Sequence, residues 1–451
     1  MAGTLSRHRP RRRRGPRLEP HWYLLHHCDR PHARPVRYPL RRFDRVALGR
    51  GTAGASVRER QLHIEIDDPW LSAVHAELVR VGARWIISDR DSKNGVLVAG
   101  ERVAQAELVD GQIIELGRTL WMYREQPESA GAVKTLGTTP DLERGAFTTL
   151  SPTLRAAFDA LAKVASSEIS VVLRGETGTG KEVMARAIHV ASGREGAFVA
   201  VNCGGLPDNL VHSELFGYRR GAFSGADEDR PGLIRSAHGG TLFLDEIGDM
   251  APASQTALLR VLQEREVTPL GATRAVPVDL RVIAATHRPI ETMTGDGRFR
   301  EDLYARLSGF VLTLPPLRER REDLGWLVSR LLGPDRPHVA FQPEAARALF
   351  QHPWPRNVRE LSAVLARAVV LADDEPIDVE HLGLAPASAP AEKPARAWSP
   401  EDEALRADLI RHLERHEGNV SAIARDLEKD RKQIRRWLQR FDLDAARYRR
   451  R

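Results

Sequence analysis

Hydrophobic positions along the chain change their spacing twice, and these changes divide the sequence into three parts. In the first part, short runs of alternating apolar and polar residues, such as 63–66, are separated by turn residues such as Asn94-Gly95, which predicts a β-sandwich. In the second part, apolar strands alternate with helix-like stretches, which predicts a parallel α/β sheet. In the third part, apolar residues recur only at helical spacing, which predicts an all-α domain.

Two stretches without apolar periodicity are predicted linkers, residues 125–148 and the Ala/Pro-rich segment 385–400. They imply a multidomain protein. We predict a basic disordered tail over 1–37, the β-sandwich over 38–124, the α/β domain over 149–384, the helical domain over 401–443 and a basic tail over 444–451.

Composition limits the classes of protein to which the chain can belong. Hydrophobic residues make up 42% and charged residues 29% of the 451 residues, and no apolar run is long enough to cross a bilayer. The two cysteines, Cys28 and Cys203, lack the spacing of a zinc site or of a disulfide framework, so we expect a reducing cytoplasm. A formal net charge of +7 favours an acidic partner such as nucleic acid.

A P-loop follows the first apolar strand of the α/β part. Its residues are Gly175, Glu176, Thr177, Gly178, Thr179, Gly180 and Lys181. The glycines let backbone N–H groups face the phosphates of ATP, and Lys181 would reach the β and γ phosphates. Glu182 stands where a Ser or Thr usually binds Mg²⁺.

A second apolar strand, 241–244, leads into two adjacent carboxylates, Asp245 and Glu246. Acids at the carboxyl end of a strand beside a P-loop suit ATP hydrolysis. We expect Asp245 to hold Mg²⁺ through water and Glu246 to orient or deprotonate the attacking water. A pair of surface acids before a turn is the alternative.

These residues, together with a loop at 221–226, resemble the AAA+ ATPase domain of sigma-54-dependent activators, the bacterial enhancer-binding proteins. The loop reads Gly221, Ala222, Phe223, Ser224, Gly225 and Ala226. The resemblance implies that this loop touches sigma-54, with Phe223 as its apolar anchor. Ser224 replaces the Thr of that family, whereas Glu182 is common in it.

The resemblance also implies roles for residues outside the two motifs. Arg300 and Arg306 would act as arginine fingers on ATP bound by a neighbouring subunit of a homo-oligomer, a hexamer. Surface ion pairs with the acids at 301 and 302 are the alternative. Arg359 would reach ATP from a helical lid that begins at about residue 317, in a segment where Arg356 replaces Gly.

Two further positions match polar residues around the catalytic glutamate of the family. Asn202 would restrain Glu246, and Thr286 would occupy the sensor I site. His287 follows Thr286, where Asn is common.

In the first part of the chain, glycines and polar residues follow the order seen in forkhead-associated (FHA) domains, which bind phosphothreonine. The matching residues are 48–50, Ser72, His75, 91–95, Gly111, Leu116 and Gly117. The resemblance implies that Arg50 and Ser72 hold the phosphate, that Asn94 fixes the peptide backbone, and that His75 braces the site from inside.

Two departures affect this assignment. Ala73 stands where a second basic residue often follows the Ser, and Ala99 stands where Asn is common. The alternative is a sandwich of the same fold that only packs against the ATPase domain.

The last predicted helix has a basic face opposite its apolar stripe. This face carries Arg431, Lys432, Gln433, Arg435, Arg436 and Arg440. With the preceding helix, which Asn419 can cap, it resembles a Fis-type helix-turn-helix and implies binding to enhancer DNA. A helical cap with a solvated basic face is the alternative.

Together these features predict an ATP-dependent activator of sigma-54 RNA polymerase that binds DNA. A phosphothreonine protein or peptide would control it, in signalling comparable to a two-component system. Two other hypotheses remain open: a DNA-binding regulator with a degenerate ATPase that works by occupancy, and an AAA+ remodelling ATPase unrelated to transcription.

Overall fold

The structure, a computed structural model, describes residues 18–127, 142–205, 208–224, 226–384, 408–413, 415–416, 419–427 and 429–440. At 142–144, 208, 209, 432, 435, 439 and 440 it describes the backbone alone. The chain divides into two compact units, Met1–Pro386 and Ala387–Arg451. The predicted fold classes are confirmed: a β-sandwich, an α/β domain with a helical lid, and a helical C-terminal region.

The sandwich consists of two sheets with the strand orders β2-β1-β12-β11-β8-β9 and β10-β7-β6-β3-β5-β4. The strands are β1 (Leu18–His27), β2 (Val36–Pro39), β3 (Arg45–Arg50), β4 (Gly54–Arg58), β5 (Gln61–Ile66), β6 (Ala76–Val81), β7 (Arg84–Asp89), β8 (Val96–Val98), β9 (Glu101–Val103), β10 (Gln105–Glu107), β11 (Ile113–Leu116) and β12 (Thr119–Pro127). Between the sheets lies an apolar core in which the rings of Trp22 and Trp121 stack at 5.4 Å.

The sandwich begins earlier than the sequence predicted. The expected basic tail over 1–37 is wrong from residue 18 onward, because β1 pairs with β12 along its length and buries Trp22, Tyr23 and Leu25. The apolar run in β1 is short and lies close to the arginine-rich start, which obscured it. The expected linker 125–148 is also shorter, since β12 continues to Pro127.

The α/β domain contains a parallel sheet in the order β14-β15-β18-β13-β19. Its strands are β13 (Val171–Arg174), β14 (Phe198–Asn202), β15 (Thr241–Asp245), β18 (Arg281–Thr286) and β19 (Phe310–Thr313), and a small ribbon adds β16 (Glu266–Val267) and β17 (Val276–Pro277). The helices are α1 (Pro152–Ala165), α2 (Lys181–Ser192), α3 (Asp208–Phe216), α4 (Leu233–Ser236), α5 (Pro252–Glu264), α6 (Ile290–Gly295) and α7 (Glu301–Leu307). Short 3₁₀ segments cover Leu142–Phe147, Ile247–Asp249, Leu317–Glu319 and Arg321–Asp323.

The lid is formed by α8 (Leu324–Leu332), α9 (Pro343–Gln351), α10 (Asn357–Ala372) and α11 (Val379–Leu382). Its apolar side does not form a core alone. It joins the outer face of the sandwich, where Leu25, Met122, Trp326 and Phe350 belong to one continuous buried cluster. Burying both faces together stabilises each domain by the hydrophobic effect.

Polar contacts fix this sandwich–lid interface. The carboxylate of Glu115, 4% exposed, accepts two hydrogen bonds from the guanidinium of Arg347 at 2.6 and 2.7 Å. The backbone N–H of Phe341 donates to the carbonyl of Cys28 at 2.8 Å. A side chain at Gly325 would collide with the backbone of β1, so the first turn of α8 lies directly against that strand.

The C-terminal unit contains a helical segment at 408–413 and the helices Val420–Asp426 and Arg431–Arg440. The expected cap is confirmed, because the side chain of Asn419 accepts from the N–H groups of Ser421 and Ala422. The segments 385–400 and 444–451 lie outside the described residues. None of the helices in the described ranges has the length and apolar character needed to cross a membrane.

Candidate nucleotide, phosphopeptide and partner sites

The P-loop lies at the carboxyl edge of the central sheet, between β13 and α2. Gly180 is in the left-handed region, with φ of 103°, and Lys181 is the first residue of α2. The side chain of Lys181 is 7% exposed, and its Nζ donates to the carbonyl oxygens of Gly175 at 2.9 Å and Glu176 at 3.3 Å. A helix N-terminus beside a shielded ammonium group favours binding of a phosphate group.

Two carboxylates follow β15 beside this loop. Oε1 of Glu246 lies 3.8 Å from Nζ of Lys181. Burial, followed by the charge of Glu246, raises the pKa of Asp245. A partly buried carboxylate beside a second acid fits Mg²⁺, which binds through carboxylate and water oxygens. Glu182 instead forms an exposed ion pair with Arg186 at 2.8 Å.

Glu246 has a second partner that the sequence did not assign to it. Nδ1 of His287 lies 2.7 Å from Oε2 of Glu246, and the backbone N–H of His287 donates to the same oxygen at 3.3 Å. Asn202 lies opposite Asp245 in the sheet, and its Oδ1 accepts from the N–H of Gly204. Within the described residues, no hydrogen bond joins Asn202 to Glu246. The structure therefore places His287, and not the predicted Asn202, against the Glu246 carboxylate.

The lid contacts the P-loop through Asn357, which is fully buried and has φ of 57°. Its Nδ2 donates to Oε2 of Glu176 and to the carbonyl of Thr177, both at 3.1 Å. Its Oδ1 accepts from the N–H of Leu317 at 2.7 Å. One side chain therefore ties the start of α10 to both the P-loop and the junction before the lid.

Two arginines of the junction strengthen this link. Arg318 donates to both carboxylate oxygens of Glu176, at 2.6 and 2.9 Å. The bonds from Arg318, with help from Asn357, lower the pKa of Glu176 to about 2. The buried Arg320 donates to the carbonyl of Thr179 at 2.9 Å. The sequence motifs do not single out Asn357, Arg318 or Arg320.

Arg359 and Thr286, which the sequence placed near the nucleotide, also lie at the P-loop. A Cβ on Gly178 would come within 3.1 Å of the Cβ of Arg359 and 2.3 Å of the carbonyl oxygen of Arg356, so the lid packs directly on that glycine. The carbonyl of Thr286 accepts from the N–H of Gly175 at 3.2 Å. Arg359 and Thr286 are thus both brought to the predicted nucleotide site.

The predicted arginine fingers lie on or next to α7. Arg300 precedes the helix and forms a forked ion pair with Asp302 at 2.7 and 3.0 Å. Arg306 is exposed, and its Nη2 lies 3.4 Å from the carbonyl of Leu262. In the described contacts of this single chain, neither arginine touches the P-loop.

The predicted sigma-54 contact loop presents an exposed phenyl ring. Phe223 is 44% exposed and lies edge-on to Tyr218, with 4.9 Å between ring centroids. The N–H of Gly221 donates to the carbonyl of Ala226 at 2.8 Å, which closes the turn. Gly225 lies outside the described residues.

The phosphopeptide residues predicted for the sandwich come together on adjacent loops. The N–H of Arg50 donates to the carbonyl of Ser72 at 2.9 Å, and Nδ2 of Asn94 donates to the carbonyl of Trp70 at 2.6 Å. His75 is buried, accepts from the N–H of Ser72 and contacts the carbonyl of Gly95 at 3.0 Å, so it braces the loops as expected. Burial lowers the pKa of His75.

Comparison with known proteins identifies the domains. Family models match a sigma-54 interaction domain over residues 147–313, an AAA+ ATPase lid domain over 318–398 and an FHA domain over 46–117. The transcriptional regulatory protein GlrR of Escherichia coli is 42% identical over 308 residues, which cover 67% of this chain and 69% of GlrR. The chain belongs to the sigma-54-dependent transcriptional regulators.

Other relatives of this sigma-54-dependent regulator match over less of their length. The hydrogenase transcriptional regulatory protein HoxA of Cupriavidus necator is 52% identical over 230 residues, 50% of this chain and 48% of HoxA, so the chain spans about half the length of that relative. A crystal structure of NtrX from Brucella abortus in complex with ADP has 30% sequence identity and a TM-score of 0.48, covering 65% of this chain and 68% of NtrX.

The C-terminal unit of this regulator has the expected division between an apolar and a basic side. Ile434 and Leu438 are buried, whereas Arg431 and Arg436 are exposed and Gln433 is partly exposed. The side chains of Lys432, Arg435 and Arg440 lie outside the described residues. The described residues of this face remain a predicted DNA contact surface.

Proposed function

We propose that this protein is an ATP-hydrolysing activator of sigma-54 RNA polymerase, controlled by a phosphothreonine ligand at its FHA domain. The observation that carries the proposal is the combination, within one sigma-54 interaction domain, of a P-loop next to Asp245 and Glu246 with a closed turn that exposes Phe223. The first feature supports energy conversion, and the second supports its delivery to a protein partner.

Each residue of the nucleotide site has a separate task in this proposal. Lys181 and the N-terminus of α2 bind the phosphates, and Thr286 supports the loop from β18. Asp245 would hold Mg²⁺, which neutralises charge on the phosphate oxygens. Glu246 orients the attacking water and accepts its proton, while His287 fixes the position of the Glu246 carboxylate.

We propose that the active form is a ring, a hexamer. Arg300 and Arg306 are exposed and do not reach the P-loop of their own chain in the described contacts. In a ring they would complete the site of the adjacent subunit, where a guanidinium stabilises charge that develops on the γ phosphate. The Asp302 partner of Arg300 is exposed, so exchanging it for a phosphate costs little.

Control by the FHA domain would pass through the sandwich–lid interface. Asn94 donates to the carbonyl of Trp70, whose ring lies 5.8 Å from the guanidinium of Arg118. Nη2 of Arg118 in turn donates to the carbonyl of Phe341 in the lid at 2.8 Å. A phosphopeptide that draws Asn94 toward its backbone would disturb this series of contacts.

The lid can transmit such a change to the nucleotide. Asn357 and Arg318 join it to the P-loop, and Arg359 lies over Gly178. A shift of the lid would therefore alter ATP binding without any change in the catalytic carboxylates. The last two helices would hold the ring to enhancer DNA, and the protein would act in the cytoplasm.

Run-off transcription with sigma-54 polymerase tests the proposal. Lys181→Ala should abolish both ATP hydrolysis and activation, because the phosphates lose their main cationic partner. Phe223→Ala should abolish activation and leave ATP hydrolysis within about twofold of wild type, since the ring lies outside the nucleotide site. Val109→Ala, which shortens a 61% exposed side chain in the sandwich, is the matched control and should change neither.

Two results would contradict the proposal. One is wild-type protein that hydrolyses ATP but never stimulates a sigma-54 promoter. The other is a Phe223→Ala variant that activates transcription as well as wild type.

A DNA-binding regulator that works by occupancy is the second candidate, and the contact between His287 and Glu246 favours it. A glutamate held at 2.7 Å by an imidazole is less available to a water molecule. Absence of ATP turnover in wild-type protein, together with repression or activation that survives Lys181→Ala, would support this candidate.

A further inference from the structure

The C-terminal unit has a small apolar core. The described core residues are Leu413, Ile423, Ala424, Ile434 and Leu438. A helical unit of this size gains limited stability from burial alone, and small domains often add a metal ion or a covalent link. Beside this core lies a cluster of side chains that neither the nucleotide site nor the DNA-facing side uses.

The cluster joins two helical segments. His412 and His416 are one helical turn apart, and their rings stack with 6.1 Å between centroids and 5° between planes. Asp426 is the last residue of the following helix. Its Oδ2 lies 2.9 Å from Nδ1 of His412 and 2.8 Å from Nε2 of His416, and the ligand atoms all lie within 4.8 Å of one another.

The protein groups do not fully satisfy this arrangement. Among the described residues, Nδ1 of His412 is shielded from solvent and makes no hydrogen bond of acceptable geometry, in spite of its short distance to Asp426. A buried polar atom without a hydrogen-bond partner is rare in folded proteins, and a bound ion can satisfy such an atom. The imidazole nitrogen therefore has a lone pair or a proton that the carboxylate does not accommodate.

The surroundings are those of a metal ligand set. Asp408 lies one turn before His412, with its Oδ2 3.8 Å from Nε2 of that ring, which is just beyond hydrogen-bond distance. A carboxylate that moves into hydrogen-bond distance of the nitrogen facing away from a metal orients the imidazole and raises its basicity. Arg415 also approaches Asp426, at 3.9 Å, but its side chain is 73% exposed and free to turn away.

We propose that His412, His416 and Asp426 bind one Zn²⁺ ion, with Asp408 as the positioning carboxylate. Two imidazole nitrogens and one carboxylate oxygen suit zinc, whereas Mg²⁺ and Ca²⁺ prefer all-oxygen sites. A water molecule would complete four-coordination. The ion would fasten the segment at 408–416 to the helix Val420–Asp426 and so stabilise the unit that carries the basic recognition helix.

Calorimetry of the untagged full-length chain with zinc chloride tests the proposal, and absorption of the Co²⁺-loaded protein reports the coordination geometry. Wild type should bind one Zn²⁺ per chain. His416→Ala and Asp426→Asn should weaken binding by more than about 100-fold, and Asp408→Asn by about tenfold, because it removes only the orienting carboxylate. His338→Ala, an exposed histidine of the lid region, should bind zinc as wild type does.

Absence of zinc binding by wild type would overturn the proposal, as would unchanged affinity in both His416→Ala and Asp426→Asn. Circular dichroism of the zinc-free proteins identifies a variant that fails to fold. If a ligand variant fails to fold, the zinc affinity of Asp408→Asn tests the site instead, because this variant keeps all three ligands. Affinity reduced about tenfold supports the site, and unchanged affinity overturns it.

Discussion

At the scale of single residues, the nucleotide site is organised around Glu246. This residue has a left-handed backbone, with φ of 51°, and its two carboxylate oxygens face different partners, Lys181 and His287. Such a conformation is uncommon outside glycine and is concentrated at functional sites. The carboxylate is therefore held in a defined position instead of moving freely at the end of β15.

Glu246→Gln should reduce kcat for ATP hydrolysis by about 1,000-fold, because an amide cannot accept the proton of the attacking water. ATP binding should persist, since Lys181 and α2 remain. Steady-state turnover and binding of a fluorescent ATP analogue separate the two effects. Glu264→Gln, an exposed acid at the end of α5, should leave both unchanged.

The FHA residues allow a second prediction at this scale. Arg50→Ala should weaken binding of a phosphothreonine peptide by roughly 10- to 100-fold, the equivalent of one lost charge-assisted hydrogen bond. Calorimetry with matched phosphorylated and unphosphorylated peptides measures the effect. Arg84→Ala is the control, because Arg84 is exposed at the start of β7, at the end away from Asn94. Equal affinity of wild type, Arg50→Ala and Arg84→Ala for the phosphorylated peptide would refute the assignment.

Residue identity and spacing were enough to predict the P-loop, Asp245 and Phe223, because each is encoded in a short contiguous motif. Asn357 and Arg318 were not predicted. Their partners in the P-loop lie 181 and 142 positions away in the chain, and no local pattern reports such a contact. His287 was noted only as a departure from Asn, although its ring takes the place at Glu246 that the resemblance gave to Asn202.

At the scale of elements, the contact between β11 and α9 depends on a buried ion pair. Arg347→Leu should lower the free energy of unfolding by about 3 kcal/mol, because the Glu115 carboxylate would stay buried without a partner. Replacing both residues by Leu should restore much of this loss. Urea unfolding measures each variant, and Arg298→Leu, which breaks an exposed pair with Asp296, should change stability by less than about 0.5 kcal/mol.

The link between the P-loop and the lid should depend on pH. The folded pKa of Glu176, about 2, lies below its ordinary value of 4.5, so the link contributes stability that is fully present above about pH 4.5 and is lost as pH falls toward 2. The difference between the urea unfolding midpoints of wild type and Arg318→Met should therefore be smaller at pH 3 than at pH 7. A constant difference across that range would exclude the ionic link as its cause.

Element types followed from apolar periodicity, but the two ends of the sandwich did not. β1 contains Trp22, Tyr23 and Leu25, yet histidines at 26 and 27 and the basic start of the chain made this segment look polar. Pairing with β12, about 100 residues further on, determines that it is a strand. Long-range pairing of this kind overrides local composition.

At the scale of the whole molecule, the proposed function requires subunits to share active sites. Lys181→Ala and Arg300→Ala should each be nearly inactive alone, yet an equal mixture should recover roughly a quarter of wild-type ATPase activity. In a randomly mixed ring, that fraction of interfaces pairs an intact P-loop with an intact finger. Activity that stays at the level of the separate variants would contradict a finger supplied by the neighbour.

Domain order was readable from the sequence, whereas the packing of the FHA domain on the lid was not. One alternative drawn from the sequence was a sandwich that only packs against the ATPase domain, and the sandwich does pack against the lid. The predicted phosphopeptide residues nevertheless also meet on one set of loops. Both features coexist because the lid is covered by the outer face of the β1-β12-β11 sheet, whereas the phosphopeptide loops follow β3, β5 and β7 of the other sheet.

The apolar cluster that the sandwich and the lid share has a practical consequence for experiments on regulation. A truncated protein that begins near Phe147 would leave Trp326, Phe341 and Phe350 of the lid facing water. Such a protein would tend to aggregate, whatever the sign of the control that its missing domain exerts. Full-length protein carrying single replacements at the rim of the contact, such as Arg118→Ala, would separate loss of control from loss of solubility.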